Sequence, residues 1–404
     1  MSYTVIARKY RPQKFSDITA QEHITRTLQN AIRTGRVAHG YIFSGSRGVG
    51  KTTSARILAK ALNCEKILTD ETYRREVAEP CGVCESCRDF DAGASLNIAE
   101  FDAASNNGVD DIRLLRENVR YGPQKGKYKV YIIDEFHMLT TAAFNAFLKT
   151  LEEPPPHAVF IFATTELHKV PATISSRCQK FIFKRIAVED IAQRLSQICK
   201  QEQIDIDQES LNLIARKADG AMRDAQSLLD QVIAFCTENG KGKIEYAAVS
   251  ELLNVIDEER LFDVSDAIVA QDSRKMLEVS QFVYQNGYDM SDFLQRLIAH
   301  FRNFLIVKNV RSSKLIETTE HLKKRYEKDA EHFSVDALMR YLDAITETEQ
   351  SLKFAREAQL RLEVLLFKLL TLKENSDLEM RLARLEKAVQ TLQEELKKKT
   401  LARA

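Results

Sequence analysis

Residues 45–52 read GSRGVGKT, which fits the phosphate-loop pattern G-x-x-x-x-G-K-[ST] without a mismatch. The apolar run 39–43 before it reads as a short buried strand. Residues 53–62 after it read as a helix with Ile57, Leu58 and Leu62 on one side. Glycines suit such a loop because the backbone must curl around phosphates with successive N–H groups pointing inward. Gly45, Ser46, Gly48, Val49, Gly50, Lys51, Thr52 and Thr53 are therefore the candidate phosphate contacts. Lys51 would set a point charge against the terminal phosphates and Thr52 would offer its hydroxyl to Mg2+, with the positive end of the following helix facing the same anion. A chance glycine-rich turn is the competing reading, and the strand, loop and helix order argues against it.

Residues 129–135, KVYIIDE, form a continuous apolar strand ending in two carboxylates. A buried parallel strand carries such groups at its C-terminal edge, where open α/β sheets bind ligands. Asp134 would orient Mg2+ and Glu135 would polarise the attacking water. The segment 98–102 reads as another strand, and 110–119 as a helix with acids in its first turn. A helix over 140–151 is closed by Glu152-Glu153-Pro154-Pro155-Pro156. Residues 158–163 form a further buried strand ending at Thr164-Thr165, and 181–183 the last one. Arg177, in Ser175-Ser176-Arg177-Cys178, reads from composition as a surface ion-pair residue.

Cys64 and the run Cys81-Gly82-Val83-Cys84-Glu85-Ser86-Cys87 supply four thiols at structural-zinc spacing, and Gly82 permits the tight turn between ligands. With no further ligand in the knuckle the Zn2+ would be structural; buried free thiols or a redox pair are the alternatives. Cys178, Cys199 and Cys236 read as core residues. The arm Arg8-Lys9-Tyr10-Arg11-Pro12 reads either as a solvated segment or as a cover for a nucleotide base, and a helix follows through Ile24, Leu28 and Ile32.

At 404 residues the chain should divide into two to four domains. With 44% apolar and 29% charged residues it has the composition of a soluble globular protein. Lys plus Arg number 59 against 58 Asp plus Glu, so any DNA contact must come from a local patch. No secretory signal or membrane-length apolar run is visible, and a cytoplasmic location without membrane contact is expected. Three apolar-periodic helices without strand signals span 188–235, with Arg223 near the start of the third. Beyond Asp257 the pattern is helical, with stripes through Leu261, Val264 and Ile268, then Phe293, Leu297 and Phe301, then Leu360, Leu365 and Leu369. Leu378, Leu382, Leu385, Val389, Leu392 and Leu396 keep a heptad in the tail.

GSRGVGKT, VYIIDEFHML, the LEEPP helix end, FATTELHKVPATISSRC, GAMRDAQSLLDQ and the four-cysteine insertion together resemble the gamma/tau subunit family of bacterial DNA polymerase III. The likeness covers about residues 3 to 370 and is most specific at Ser-Arg-Cys and the cysteines. It implies an AAA+ fold: an α/β ATPase domain over 1–185 with the zinc module near 64–87, a helical lid over 186–254, a helical collar for oligomerisation over 255–373, and a C-terminal heptad helix over 374–404. Position by position, it implies that Thr165 is the nucleotide sensor on the strand, with Thr164 the neighbouring choice, and that Arg177 is an arginine finger. Arg223 becomes the lid sensor, and Arg8, Tyr10 and Pro12 line the adenine pocket.

The function implied is an ATP-hydrolysing motor of the replicative clamp loader, with ATP, Mg2+ and Zn2+ as cofactors. Its implied partners are other clamp-loader subunits, the sliding clamp and primer-template DNA held by its phosphate backbone. Polymerase and helicase contacts would belong to regions beyond this chain. No second acidic cluster suits a two-metal polymerase site, so nucleotidyl transfer would reside in a partner. A hexameric DNA translocase would share the nucleotide motifs but would bring a winged-helix domain, and none is evident. A non-catalytic scaffold would be expected to lack Lys51, Glu135 or Arg177, and all three are present.

Overall fold

The computed structural model describes residues 4–236, 242–310, 312–313, 315–316, 318, 320–352 and 357–372. The heptad tail, 374–404, and residues 237–241 lie outside them. The chain divides into two compact units between Leu252 and Leu253.

The first unit is built on five parallel strands, β1 (Gly40–Ser44), β2 (Ile98–Asp102), β3 (Lys129–Asp134), β4 (Ala158–Thr164) and β5 (Gln179–Ile182), in the order β2-β3-β4-β1-β5. Alternation along the three central strands explains why both faces are covered. Tyr41, Phe43, Val130, Ile132, Val159 and Ile161 enter one core with the helices Glu22–Thr34 and Lys51–Leu62. Ile42, Tyr131, Ile133, Phe160 and Phe162 enter the other with Val109–Val119 and Thr141–Glu152. A sheet buried on both faces reads in sequence as an unbroken apolar run, which is how β3 and β4 announce themselves. On the second face Phe136 lies over Phe162 at 4.1 Å between ring centroids and meets Phe144 edge-on at 5.1 Å.

Parallel register brings Ser44 level with Thr164, and Asp102 level with Asp134. All the strand ends that carry chemistry therefore share one edge. The phosphate-loop helix starts at Lys51 rather than Thr53, because Gly50 takes a left-handed N-cap conformation at φ 102°. The helix ending in Glu152 starts at Thr141, with the Thr140 side chain accepting from the Ala143 N–H.

Three helices follow, Val188–Glu202, Gln208–Lys217 and Met222–Cys236. The expectation of no strand here is corrected by a parallel pair of two-residue strands, Asp205–Ile206 and Lys243–Ile244. Asp207 fixes it: its carboxylate accepts from the N–H of Ser210 at 2.6 Å, capping one helix, and from that of Tyr246 at 3.0 Å, capping the start of Tyr246–Leu252. Two residues are too few to show a period.

The second unit is helical among its described residues: Glu258–Ala270, Ser273–Gln285, Met290–Val310, Glu320–Asp329, Val335–Leu352 and a helix over 358–372. Its core gathers Phe262, Phe293, Leu297, Phe301, Tyr341 and Leu365. Leu360 is corrected: it is exposed, and Leu362 and Leu366 take buried places beside Leu365 and Leu369. Five residues separate Leu360 from Leu365, which turns it about 140° around the helix. Among the described residues no helix is long and apolar enough to cross a membrane.

His300 is buried in this core, with Nδ1 2.7 Å from the Tyr326 hydroxyl and Phe262 against its ring. Burial pushes its pKa down to about 3 from the usual 6.5, with Arg325 adding to the effect. The unfolded chain thus binds more protons than the folded chain between those values, so this site's contribution is complete above pH 6.5 and erodes as pH falls. His300→Phe should flatten that limb: between about pH 7 and about pH 5 the urea midpoint of the second unit should fall less in the variant than in the wild type. Equal falls would contradict the assignment.

Candidate active site

The phosphate loop leaves the end of β1 and enters the helix Lys51–Leu62. Gly48 and Gly50 hold φ of 78° and 102°, which side chains resist. At Gly48 a Cβ would also meet the Ala221 Cβ at 2.7 Å, so the loop touches the start of the helix Met222–Cys236. The N–H of Arg223 donates to the Gly48 carbonyl at 3.4 Å across the same contact.

Lys51 is buried, and its Nζ donates to the carbonyls of Gly45 and Ser46, each at 2.8 Å. Burial lowers its pKa while Glu135 and Asp134 pull it back up, so the ammonium is held beside two carboxylates. The Thr52 hydroxyl donates to Asp134 Oδ2 at 2.8 Å. The N–H of Glu135 donates to the other oxygen of Asp134 at 2.9 Å. Glu135 itself adopts the left-handed region, φ 47° and ψ 42°, and its Oε2 is buried without a hydrogen-bond partner. A non-glycine residue held there is strained, and such strain gathers at functional sites.

These groups line a cleft of 540 Å³ together with Gly48, Val49, Gly50 and Thr53. Arg8, Tyr10 and Pro12 join them from the N-terminal arm, and Arg223 from the opposite wall. The structure thus brings together the loop, the acidic pair, the arm and Arg223. The Tyr10 hydroxyl donates to Glu202, and Lys9 Nζ lies 2.5 Å from the same carboxylate, tying the arm to the helix Val188–Glu202. Burial, and then Glu202, push the Tyr10 pKa up to about 12.

Four predicted residues do not line the cleft: Gly45 and Ser46, whose carbonyls hold Lys51, and Thr165 and Arg177. Thr165 is half-buried and does not line the cleft; the neighbouring Thr164 is fully buried, with its hydroxyl 3.2 Å from His137 Nδ1 and accepting from the Glu166 N–H. Arg177 sits at the opposite edge of the sheet, just before β5. Its carbonyl lies near where a Cβ on Gly40 would stand, at the first residue of β1. Its Nη1 donates to the Thr173 carbonyl at 2.6 Å and its Nη2 to Glu152 at 2.8 Å.

The cleft also holds Arg11 of the arm, and residues that the sequence reading did not single out: Arg47, Ile186, Arg194, Met222 and Gln226. Gln226 stands three positions from Arg223 and four from Met222 on one helix, so a helical wheel drawn from Arg223 could have found Gln226, and Met222 through it. Burial, and then the charge of Arg56, lower the Arg11 pKa, a sign of crowded positive charge.

The thiols of Cys64, Cys81, Cys84 and Cys87 all lie within 4.8 Å of one another. Zn–S bonds of about 2.3 Å would set tetrahedral sulfurs about 3.8 Å apart, so the donor set fits Zn2+ closely. The N–H groups of Cys81 and Cys84 point at the sulfurs of Cys64 and Cys81 at 3.4 and 3.3 Å, the kind of support that favours thiolate. A hydrogen bond from Cys87 leads the effects that pull the Cys64 pKa down, and Gly82 turns the knuckle at φ 73°.

Comparison with known proteins comes to the same place. The domain described as DNA polymerase III, delta subunit, matches residues 20–187, the DNA polymerase III clamp loader subunit, ATPase lid domain, matches 190–238, and domain III of DNA polymerase III subunits gamma and tau matches 244–393. DNA polymerase III subunit tau of Bacillus subtilis is 39% identical over 98% of this chain and 69% of its own length. The tau subunit of Escherichia coli is 43% identical over 76% of this chain but 46% of its own length, and the gamma subunit of Buchnera aphidicola is 35% identical over 92% and 99%. Among solved structures, the Thermotoga maritima RuvB branch migration motor aligns at 17% identity over 69% of this chain and 86% of its own, with a TM-score of 0.46. The chain belongs to the gamma/tau family of DNA polymerase III subunits, ATPase subunits of the clamp loader.

Proposed function

We propose that the chain is a motor subunit that, with other clamp-loader subunits, opens the sliding clamp and places it on primed DNA. ATP is held in the cleft of one chain and its hydrolysis is completed by Arg177 from a neighbour. The observation that carries this reading is the placement of Lys51 and Arg177 at opposite ends of β1. Five residues at about 3.3 Å each put a strand length of about 16 Å between them, too far for a guanidinium to reach its own phosphate loop. A finger so placed serves an adjoining subunit.

Within the cleft, Lys51 neutralises the terminal phosphates and Glu135, with one oxygen unpaired, orients the attacking water. Thr52 and Asp134 would hold Mg2+, which supplies charge neutralisation to the phosphates when bound. Arg223 senses the phosphates from the lid, whose backbone already touches the loop at Gly48. Thr165, one residue past the end of β4, is the polar sensor, the Thr164 hydroxyl being committed to its own neighbours. Arg8, Tyr10 and Pro12 frame the base. Cys64, Cys81, Cys84 and Cys87 would hold a structural Zn2+.

The division we propose is an ATPase domain over 1–185, a lid over 186–254, an oligomerising collar over 255–373 and a segment of heptad-patterned sequence over 374–404. Primer-template DNA is held through its phosphates, by local basic patches on a chain of net charge +1.

Steady-state ATP hydrolysis by the assembled clamp loader, with and without clamp and primed DNA, tests this reading. Lys51→Ala should lose nucleotide binding. Arg177→Ala should keep nucleotide binding while its stimulated hydrolysis falls about 10³-fold or more. Wild-type stimulation in Arg177→Ala, or stimulation by duplex DNA that ignores the clamp, would overturn the reading. Elemental analysis should find one zinc per chain, released when Cys87→Ser or Cys84→Ser removes a ligand; undiminished zinc in both variants would refute the four-thiol site.

A further inference from the structure

His137 follows the catalytic pair in a single 3-10 turn, Phe136–Met138. The left-handed backbone of Glu135 makes that turn tight, and the Met138 N–H closes it on the Glu135 carbonyl at 2.8 Å. The imidazole is carried back over the functional edge of the sheet, where its side chain is only 7% exposed. Its Nδ1 lies 3.2 Å from the Thr164 hydroxyl at the end of β4 and 3.6 Å from Glu135 Oε2. Its Nε2 lies 3.3 Å from Glu166 Oε1.

These distances bear on where the ring carries its proton. A carboxylate only accepts, so Glu166 favours a proton on Nε2. The Lys169 ammonium, 3.0 Å from the same Glu166 oxygen, helps keep that carboxyl ionised. A proton held on Nε2 leaves a lone pair on Nδ1, which accepts the Thr164 hydroxyl proton. The Thr164 oxygen meanwhile accepts from the Glu166 N–H at 3.1 Å. Glu135 Oε2, 3.6 Å from that nitrogen, then faces a lone pair rather than a donor. The opposite tautomer would put an N–H beside that oxygen and tie up the carboxylate. A catalytic base is useful only while its lone pair is free to take a proton from water.

We infer that His137 is a positioning residue for Glu135, held by Glu166 and Thr164 in the tautomer that leaves the Glu135 carboxylate free for the attacking water. This deepens the proposed reading and depends on Glu135 being the base. It also gives β4 a route to the reaction other than Thr165: movement of Thr164 or Glu166 changes the proton position next to the base.

Glu166→Gln is the informative variant, because its side chain is partly exposed and the neutral amide, which can donate as well as accept, no longer holds the proton on Nε2. In the assembled clamp loader with clamp and primed DNA, its kcat should fall about tenfold while the nucleotide dissociation constant stays within about twofold. In a His137→Ala background, itself slowed, Glu166→Gln should have no further effect, since no imidazole remains to reorient. A wild-type kcat in Glu166→Gln, or an equal loss in both backgrounds, would overturn the inference. Glu135→Gln is measured beside them. If it hydrolyses ATP at the wild-type rate, the base assignment falls and this inference with it. If it is inactive while Glu166→Gln is unimpaired, only the positioning role falls.

Discussion

The donation from the Thr52 hydroxyl to Asp134, 2.8 Å long and spanning 82 positions of sequence, is the contact on which the site depends. It forms because β1 and β3 run parallel on either side of β4, so the loop after one strand and the acids ending the other emerge at a single edge. That arrangement requires both faces of the sheet to be buried. The alternating rows of Tyr41, Phe43 and Ile161 on one face and Ile42, Phe160 and Phe162 on the other meet the requirement. Sliding one strand by a residue would reverse those rows and separate Thr52 from Asp134.

The cysteine module belongs to the same construction. Cys64 follows the phosphate-loop helix within two residues of its end, and Lys60 on that helix is buried with its ammonium 2.6 Å from Asp91, the last residue of the helix that carries Cys87. A buried ammonium is costly without a partner, so Lys60 and Asp91 hold the two helices in one relative position. Arg56 adds a second tie by lying over the Phe90 ring at 4.7 Å. The cysteine module thereby braces the back of the helix whose front holds Lys51.

Much of this was legible in the sequence because the chemistry is local. GSRGVGKT and the apolar run ending in Asp134-Glu135 each carry their meaning within eight residues, and the four thiols within 24. Arg194 enters the cleft only through the packing of the lid, and nothing in its neighbours marks it. His137 could be read only as a residue after the acids; its contact with Thr164 requires the register of β3 against β4. The strand pair at Asp205–Ile206 was missed because two residues show no period, and Leu360 was misplaced because a step of five rotates off the buried stripe. The opposite-edge position of Arg177 is likewise a property of strand direction.

That position can be tested by mixing subunits. Chains carrying Glu135→Gln still offer an intact Arg177, and chains carrying Arg177→Ala still hold an intact Glu135. If the finger acts on a neighbour, clamp loaders assembled from both kinds of chain contain interfaces in which the two intact groups meet. Single-turnover ATP hydrolysis by the mixture should then exceed that of either variant assembled alone. If Arg177 instead serves the cleft of its own chain, the mixture would show no more than the average of the two, and the account of a shared site would be contradicted.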